Sequence, residues 1–179
     1  MKRILVATLL SVVISTPALA GNTNKYYVAG DFGSATYSNI PFPNSTVFRI
    51  SGGYHFSPVL AVELGYSMFG DSNTNLKCCG FATTSASSLQ VSAVGKLPLN
   101  KQFDLIGKLG LANNIEDYSD ATGYSASWSQ SDVLIGFGAA YQVNSRVSVR
   151  ALYDNYGKFD NFFQPMKATS FSLGVAYDL

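Results

Sequence analysis

The sequence predicts an all-β chain whose strands close into an eight-stranded, antiparallel, up-and-down barrel. Two observations lead to this prediction. Apolar residues alternate with small or polar ones along most of the chain, and this period of two indicates strands. The connecting segments alternate between short and long, which is typical of an up-and-down barrel and not of a sandwich. A length of 179 residues is enough for one such domain.

The C-terminal segment shows the alternation most clearly. Its apolar positions are Phe171, Leu173, Val175, Tyr177 and Leu179, and small or polar residues stand between them. Seven segments upstream repeat the pattern, at residues 26–33, 48–56, 60–68, 89–97, 103–111, 132–143 and 147–154. Most of these segments are about as long as the ~9–11 residues that a tilted strand needs to cross a membrane.

The connections have two kinds of composition. Three are short and turn-like, at residues 57–58, 98–101 and 144–146. Four are polar and are predicted to be long loops, at residues 37–47, 71–87, 117–129 and 157–167. In outer-membrane barrels the short turns face the periplasm. An even number of strands then places both termini on that side.

The two faces of the predicted strands differ in residue size. One face is apolar, and the other carries many glycines, among them Gly33, Gly53, Gly65, Gly110, Gly136, Gly138 and Gly174. An eight-stranded barrel is only just wide enough inside to be filled by side chains, so small residues suit its interior. Lipid requires every backbone polar group to be paired, and a closed barrel meets that requirement. The apolar face is therefore predicted to contact lipid.

The N-terminus has the features of a cleavable signal peptide. Lys2 and Arg3 are followed by a mostly apolar stretch from Ile4 to Ile14, and the A-x-A-type pattern ends at Ala20. The apolar stretch is shorter than the ~20 residues of a spanning helix. We therefore expect cleavage after Ala20, a signal peptide at residues 1–20 and a barrel domain at residues 21–179.

Three segments resemble the first strands of the OmpA-like transmembrane domain family: residues 26–30, 52–58 and 60–66. The alternation over residues 171–179 resembles the C-terminal assembly signal of such barrels, although Leu179 stands where the family usually ends in an aromatic residue. The resemblance covers the barrel alone and does not extend to the peptidoglycan-binding domain of longer members. It implies the outer membrane of a Gram-negative-type bacterium, with lipids, lipopolysaccharide and the barrel assembly machinery as partners.

Five charged residues on the inward face are the candidate site: Asp31, Glu63, Lys96, Lys108 and Arg150. Counted from the periplasmic end of each strand, they fall at similar levels, with Arg49 a little higher. Glu63 and Lys96 lie on adjacent strands and are predicted to face each other. Buried charges are tolerated only when they are paired and hydrogen-bonded. The resembled family also has a charged lumen cluster. Two interpretations stay open, ion pairs that fill the lumen and an ion-pair gate of a narrow pore.

Other chemistry-bearing residues give weaker signals. His55 and Ser57 could suggest a lipid hydrolase, but Ser57 precedes Pro58 in a predicted periplasmic turn, away from the outer leaflet. Cys78 and Cys79 lie in a predicted long loop and supply too few ligands for a structural zinc site. Their redox state and role stay open. We therefore predict no enzyme activity, no cofactor and no metal.

The formal net charge is +1 and no run of Lys or Arg occurs, which argues against nucleic acid as a partner. The predicted function is that of an integral outer-membrane barrel with structural and surface-loop interaction roles, whose loops contact host or phage ligands. A narrow porin-like channel is the alternative, and a lipid-modifying enzyme is the third candidate.

Overall fold

A computed structural model describes residues 25–38, 45–76, 80–120, 125–159 and 166–179. The predicted signal peptide and the two cysteines lie outside these residues, so both stay predictions. The described residues form eight strands: β1 (Tyr26–Ser38), β2 (Ser45–Ser57), β3 (Leu60–Leu76), β4 (Gly80–Pro98), β5 (Phe103–Asp120), β6 (Ser125–Gln142), β7 (Val147–Phe159) and β8 (Met166–Asp178).

Antiparallel pairing joins each strand to the next, and β1 pairs with β8 to close the sheet. Asp31, for example, lies opposite Arg49 on β2 and opposite Gly174 on β8. The predicted eight-stranded antiparallel barrel is therefore confirmed. In the described part of the chain, no helix has the length and apolar character needed to cross a membrane.

The barrel is apolar outside and largely polar inside, the reverse of a soluble protein. Leu109 and Phe137 keep 61% and 62% of their surface exposed on the outer face, whereas Asp31 and Gln90 on the inner face keep 2% each. So much exposed apolar surface indicates contact with lipid. Aromatic rings pack side by side near the rim with the short turns, as Phe103 and Tyr141 do at 4.9 Å between ring centroids.

Two inward glycines make room for charged side chains. A Cβ atom at Gly174 would overlap the carboxylate of Asp31, and one at Gly136 would overlap that of Asp154. The small inward residues therefore do more than narrow the barrel, because they create the space in which long polar side chains meet across the lumen.

The prediction of long loops at residues 71–87 and 117–129 is wrong. β3 continues to Leu76 and β4 begins at Gly80, while β5 continues to Asp120 and β6 begins at Ser125. Above the apolar belt the outward face of a strand meets water instead of lipid, so outward residues there no longer have to be apolar. The apolar alternation therefore stops although the hydrogen-bonded ladder goes on. Strands β3 to β6 form a sheet that protrudes beyond the belt, which we call the protruding sheet.

The protruding sheet has an open edge on β6. β6 pairs with β5 as far as Ser125, but with β7 only as far as Ile135. β7 turns away at Gly157, whose φ of 74° is strained for any residue with a side chain. Side chains bind the backbone at this point, since Asp132 Oδ2 accepts a hydrogen bond from the Lys158 amide at 2.7 Å. Within the described residues, the β6 edge at 125–134 therefore has no neighbouring strand.

Candidate functional site

Six buried charged side chains meet in the middle of the lumen. They are Asp31 on β1, Arg49 on β2, Glu63 on β3, Lys108 on β5, and Arg150 and Asp154 on β7. Three are acidic and three are basic, so the group is formally neutral. We call it the lumen cluster. Successive side chains of a strand point to opposite faces, and each of these charged residues stands at an inward position of its strand.

Arg150 is the central donor of the lumen cluster. Its Nε and Nη2 atoms donate to the two carboxylate oxygens of Asp31, both at 2.7 Å. Its Nη1 atom donates to Glu63 Oε2 at 2.9 Å, and Nη2 also reaches Ser51 Oγ at 3.0 Å. The guanidinium therefore holds one carboxylate in a two-point contact and a second by a single bond, which is the geometry that a planar fork of donors favours.

The other cations complete the network. Arg49 Nε donates to Asp31 Oδ2 at 2.9 Å, and its Nη1 atom contacts Asp154. Lys108 Nζ lies 3.0 Å from Glu63 Oε1 and 3.7 Å from Asp154 Oδ1, as an ion pair without a well-directed hydrogen bond. Each carboxylate thus has two cationic partners. Such mutual compensation is the condition under which charges stay buried.

Apolar layers lie on both sides of the lumen cluster. The layer toward the short turns consists of Tyr27, Ala29, Ala61, Val94, Ile106, Ala140, Leu152 and Ala176. The layer toward the protruding sheet consists of Ala35, Val47, Phe69, Ala112, Leu134, Tyr156 and Ala168. Tyr27 links its layer to the cluster, because its hydroxyl donates to Glu63 Oε2 at 2.9 Å. Beside Arg150 lies a cavity of about 20 Å³, which has room for about one water molecule.

A sequence model of a protein family, described as the outer membrane protein beta-barrel domain, matches residues 6–178. The chain belongs to this family. The predicted location in the outer membrane is thereby confirmed, as is the likeness to small outer-membrane barrels.

Solved structures of other outer-membrane barrels share the fold. Neisserial surface protein A is 20% identical, and the match covers 88% of this chain and 98% of that one with a TM-score of 0.70. Ail of Yersinia pestis is 16% identical over 86% and 97%, with a TM-score of 0.63. The N-terminal barrel of Pseudomonas aeruginosa OprF is 14% identical over 86% and 96%, with a TM-score of 0.62. No curated protein sequence matches the chain.

The predicted charge network of this outer-membrane barrel is wrong in one member, Lys96. The structure brings Asp31, Glu63, Lys108 and Arg150 together but leaves Lys96 outside, where its Nζ atom lies 5.7 Å from the centroid of the Tyr27 ring. Glu63 lies opposite Ser92 on β4, four residues from Lys96, or about 13 Å along the strand. Counting from strand ends ignored this stagger, so the predicted pair of Glu63 and Lys96 is wrong.

Arg49 and Asp154 were missing from the predicted set. The sequence placed Arg49 inward but at a higher level, and the alternation over residues 147–154 puts Asp154 on the same face as Arg150. The predicted set held three cations and two anions. That imbalance was a signal that a buried carboxylate was missing, and Asp154 lies on the same face as Arg150 on β7.

The structure does not assemble a catalytic pair at His55 and Ser57. His55 Nε2 faces Asp178 Oδ1 at 3.4 Å, and the imidazole stacks on Tyr27. Ser57 Oγ accepts a hydrogen bond from the Val59 amide at 3.3 Å, as a turn residue does. Among the residues that the structure describes, no group of three or more His, Cys, Asp or Glu could hold a metal ion.

Proposed function

We propose that this outer-membrane barrel is a closed, non-enzymatic structural protein that presents the protruding sheet and its loops to partners outside the cell. The observation that carries the proposal is the neutral lumen cluster between two apolar layers. A hydrated ion entering the lumen would have to separate buried ion pairs and shed its own water at the apolar layers, and both steps are costly.

Conductance separates a closed barrel from a gated pore. We expect purified wild-type protein in planar bilayers to show no ion-selective channels, and Glu63→Gln to show none either, because the apolar layers remain. Glu63→Gln should lower the thermal stability, since Arg150 and Lys108 lose a charged partner. Ion-selective channels that change with Glu63→Gln while the barrel stays folded would replace this proposal with a gated pore.

The protruding sheet supports the interaction role. On β5 the outward face changes from Leu111 to Asn113, which marks the upper limit of the apolar belt. From Leu111, β5 runs nine more residues to Asp120, about 30 Å along the strand. Among the described strands none pairs with residues 125–134 of β6 on the side of β7, and an extended segment of a partner can add to such a strand edge.

Charge indicates which class of partner suits this end. Apart from the buried Glu116, the described strand segments beyond the apolar belt carry four acidic residues against two lysines: Asp71, Asp117, Asp120 and Asp132 against Lys158 and Lys167. Ail was solved in complex with the heparin analogue sucrose octasulfate, a polyanion. The acidic excess here disfavours a polyanion, so we propose a neutral or cationic partner.

Surface accessibility tests the proposed orientation. We expect an epitope tag inserted at Ala121, between β5 and β6, to bind antibody on intact cells. A tag at Asn144, in the short turn between β6 and β7, should bind antibody only after the outer membrane is permeabilised. The two tags stand at opposite ends of β6. Antibody binding on intact cells at Asn144 and not at Ala121 would show that the protruding sheet lies in the periplasm.

A further inference from the structure

The end of the barrel with the short turns contains an open cavity of about 750 Å³. Inward side chains at the strand ends form its wall, among them His55, Lys96, Gln142 and Asp178, and turn residues such as Lys101 form its mouth. Its volume lies within the range of ~300–1,000 Å³ that small-molecule sites occupy. We call it the vestibule. The apolar layer that contains Tyr27 separates it from the lumen cluster.

The vestibule has an excess of positive charge. Lys25, Lys96 and Lys101 line it, and among the described residues none of them has a carboxylate within ion-pair distance. Two carboxylates also line it, so the net excess is one positive charge, and each carboxylate contacts an uncharged or weakly basic side chain. Asp104 accepts a hydrogen bond from Gln142 Nε2 at 3.1 Å, and Asp178 faces His55.

Lys96 is the member of this group that is held in place. Its ammonium lies over the Tyr27 ring on the apolar floor, and its side chain is half-buried. A cation at the floor of a partly enclosed cavity is screened less by solvent than a cation on a flat surface, so it attracts anions more strongly. Fixing the side chain on the ring also reduces the entropy that ligand binding has to overcome.

We propose that the vestibule binds an oxyanion, a phosphate or carboxylate group, with Lys96 at its floor and Lys25 and Lys101 at its mouth. The proposal goes beyond the structural role and does not depend on whether the lumen conducts. In the proposed orientation the vestibule opens to the periplasm. The anionic group can then come from a phospholipid headgroup of the inner leaflet or from a soluble periplasmic molecule.

The test is a titration of the folded protein in micelles of an uncharged, phosphate-free detergent, followed by NMR of backbone amides at constant ionic strength. Inorganic phosphate is the soluble probe, and a short-chain phosphatidylglycerol is the lipid probe. We expect saturable shifts around Lys96, His55 and Gln142. Saturation by phosphate alone assigns a soluble source, whereas saturation by the lipid, with competition against phosphate, assigns the headgroup.

Two variants decide the role of the lysines. Lys96→Gln should raise the dissociation constant about tenfold, because a charge-assisted contact is lost. Lys101→Gln, in an exposed turn, keeps the test informative should Lys96→Gln fail to fold, and it should weaken binding less. Arg146→Gln removes a charge from the same end without touching the vestibule and should leave binding unchanged. Chemical shifts that do not saturate would refute the proposal. So would a dissociation constant that Lys96→Gln and Arg146→Gln change equally.

Discussion

Replacing Arg150 with methionine should lower the free energy of unfolding by about 3–5 kcal/mol, the range for removing one partner of a buried ion pair. Arg150 makes two bonds to Asp31 and one each to Glu63 and Ser51. The substitution leaves three acidic and two basic side chains in the lumen cluster. The uncompensated negative charge stays buried, because apolar layers pack on both sides of the lumen cluster and the cavity beside residue 150 has room for only about one water molecule.

A charge-balanced second change provides the sharper test. Arg150→Met combined with Asp31→Asn returns the lumen cluster to two acids and two bases and should recover part of the lost stability. Lys108→Met should cost less than Arg150→Met, because Lys108 makes no well-directed hydrogen bond. Chemical unfolding in detergent micelles measures all three variants. The outcome that would contradict the account is an Arg150→Met effect no larger than that of Arg146→Met in an exposed turn.

The membrane-spanning part of the fold followed from the sequence because lipid imposes a strict rule on it. Outward residues must be apolar or small and inward residues must fit a narrow lumen, so residues such as Leu109 and Lys108 alternate over the belt. Beyond the belt the outward face meets water instead of lipid. Segments such as 113–120 then carry polar residues on each side, and the sequence contains no periodic signal for the strand that continues there.

The lumen cluster was only partly predictable, for a geometric reason. Alternation assigns each charge to the inner face, but the height of a charge depends on the stagger between neighbouring strands. Glu63 lies opposite Ser92, and no feature of the sequence fixes that register. An error of four residues in the relative height of the strands placed Lys96 in the predicted cluster and left Asp154 out of it. The face on which a side chain lies is therefore a local property of its strand, whereas the register between strands is a property of the closed barrel.

Glu116 gives the protruding sheet a pH dependence. It lies on β5 above the apolar belt, its side chain faces inward, and only 6% of its surface is exposed. Its Oε2 atom has no hydrogen-bond partner, and in the described part of the structure no cation pairs with the carboxylate. Burial without compensation raises the pKa of Glu116 to about 7.

The raised pKa means that between about pH 4.5, the ordinary pKa of the group, and pH 7 the folded state holds a proton that the unfolded chain has already released. The stability from Glu116 is therefore fully present below the unfolded pKa and is lost as the pH rises through 7. Glu116→Gln, which resembles the protonated carboxyl, should match the wild type near pH 4. At pH 8.5 it should be more stable by about 3 kcal/mol.

Unfolding curves of the wild type and Glu116→Gln in micelles from pH 4 to pH 9 measure this difference in stability. Subtracting the two free energies of unfolding at each pH removes the contribution of groups that titrate alike in both proteins. Asp117→Asn is the matched control, because Asp117 is the next residue on β5 and its side chain is exposed. This variant removes a negative charge from the same part of β5 and leaves the buried carboxyl in place, so a change that both variants share comes from the lost charge and not from burial. Parallel loss of stability in the wild type and Glu116→Gln would show that Glu116 is ionised at neutral pH and solvated. The inner face of the protruding sheet would then be open to water.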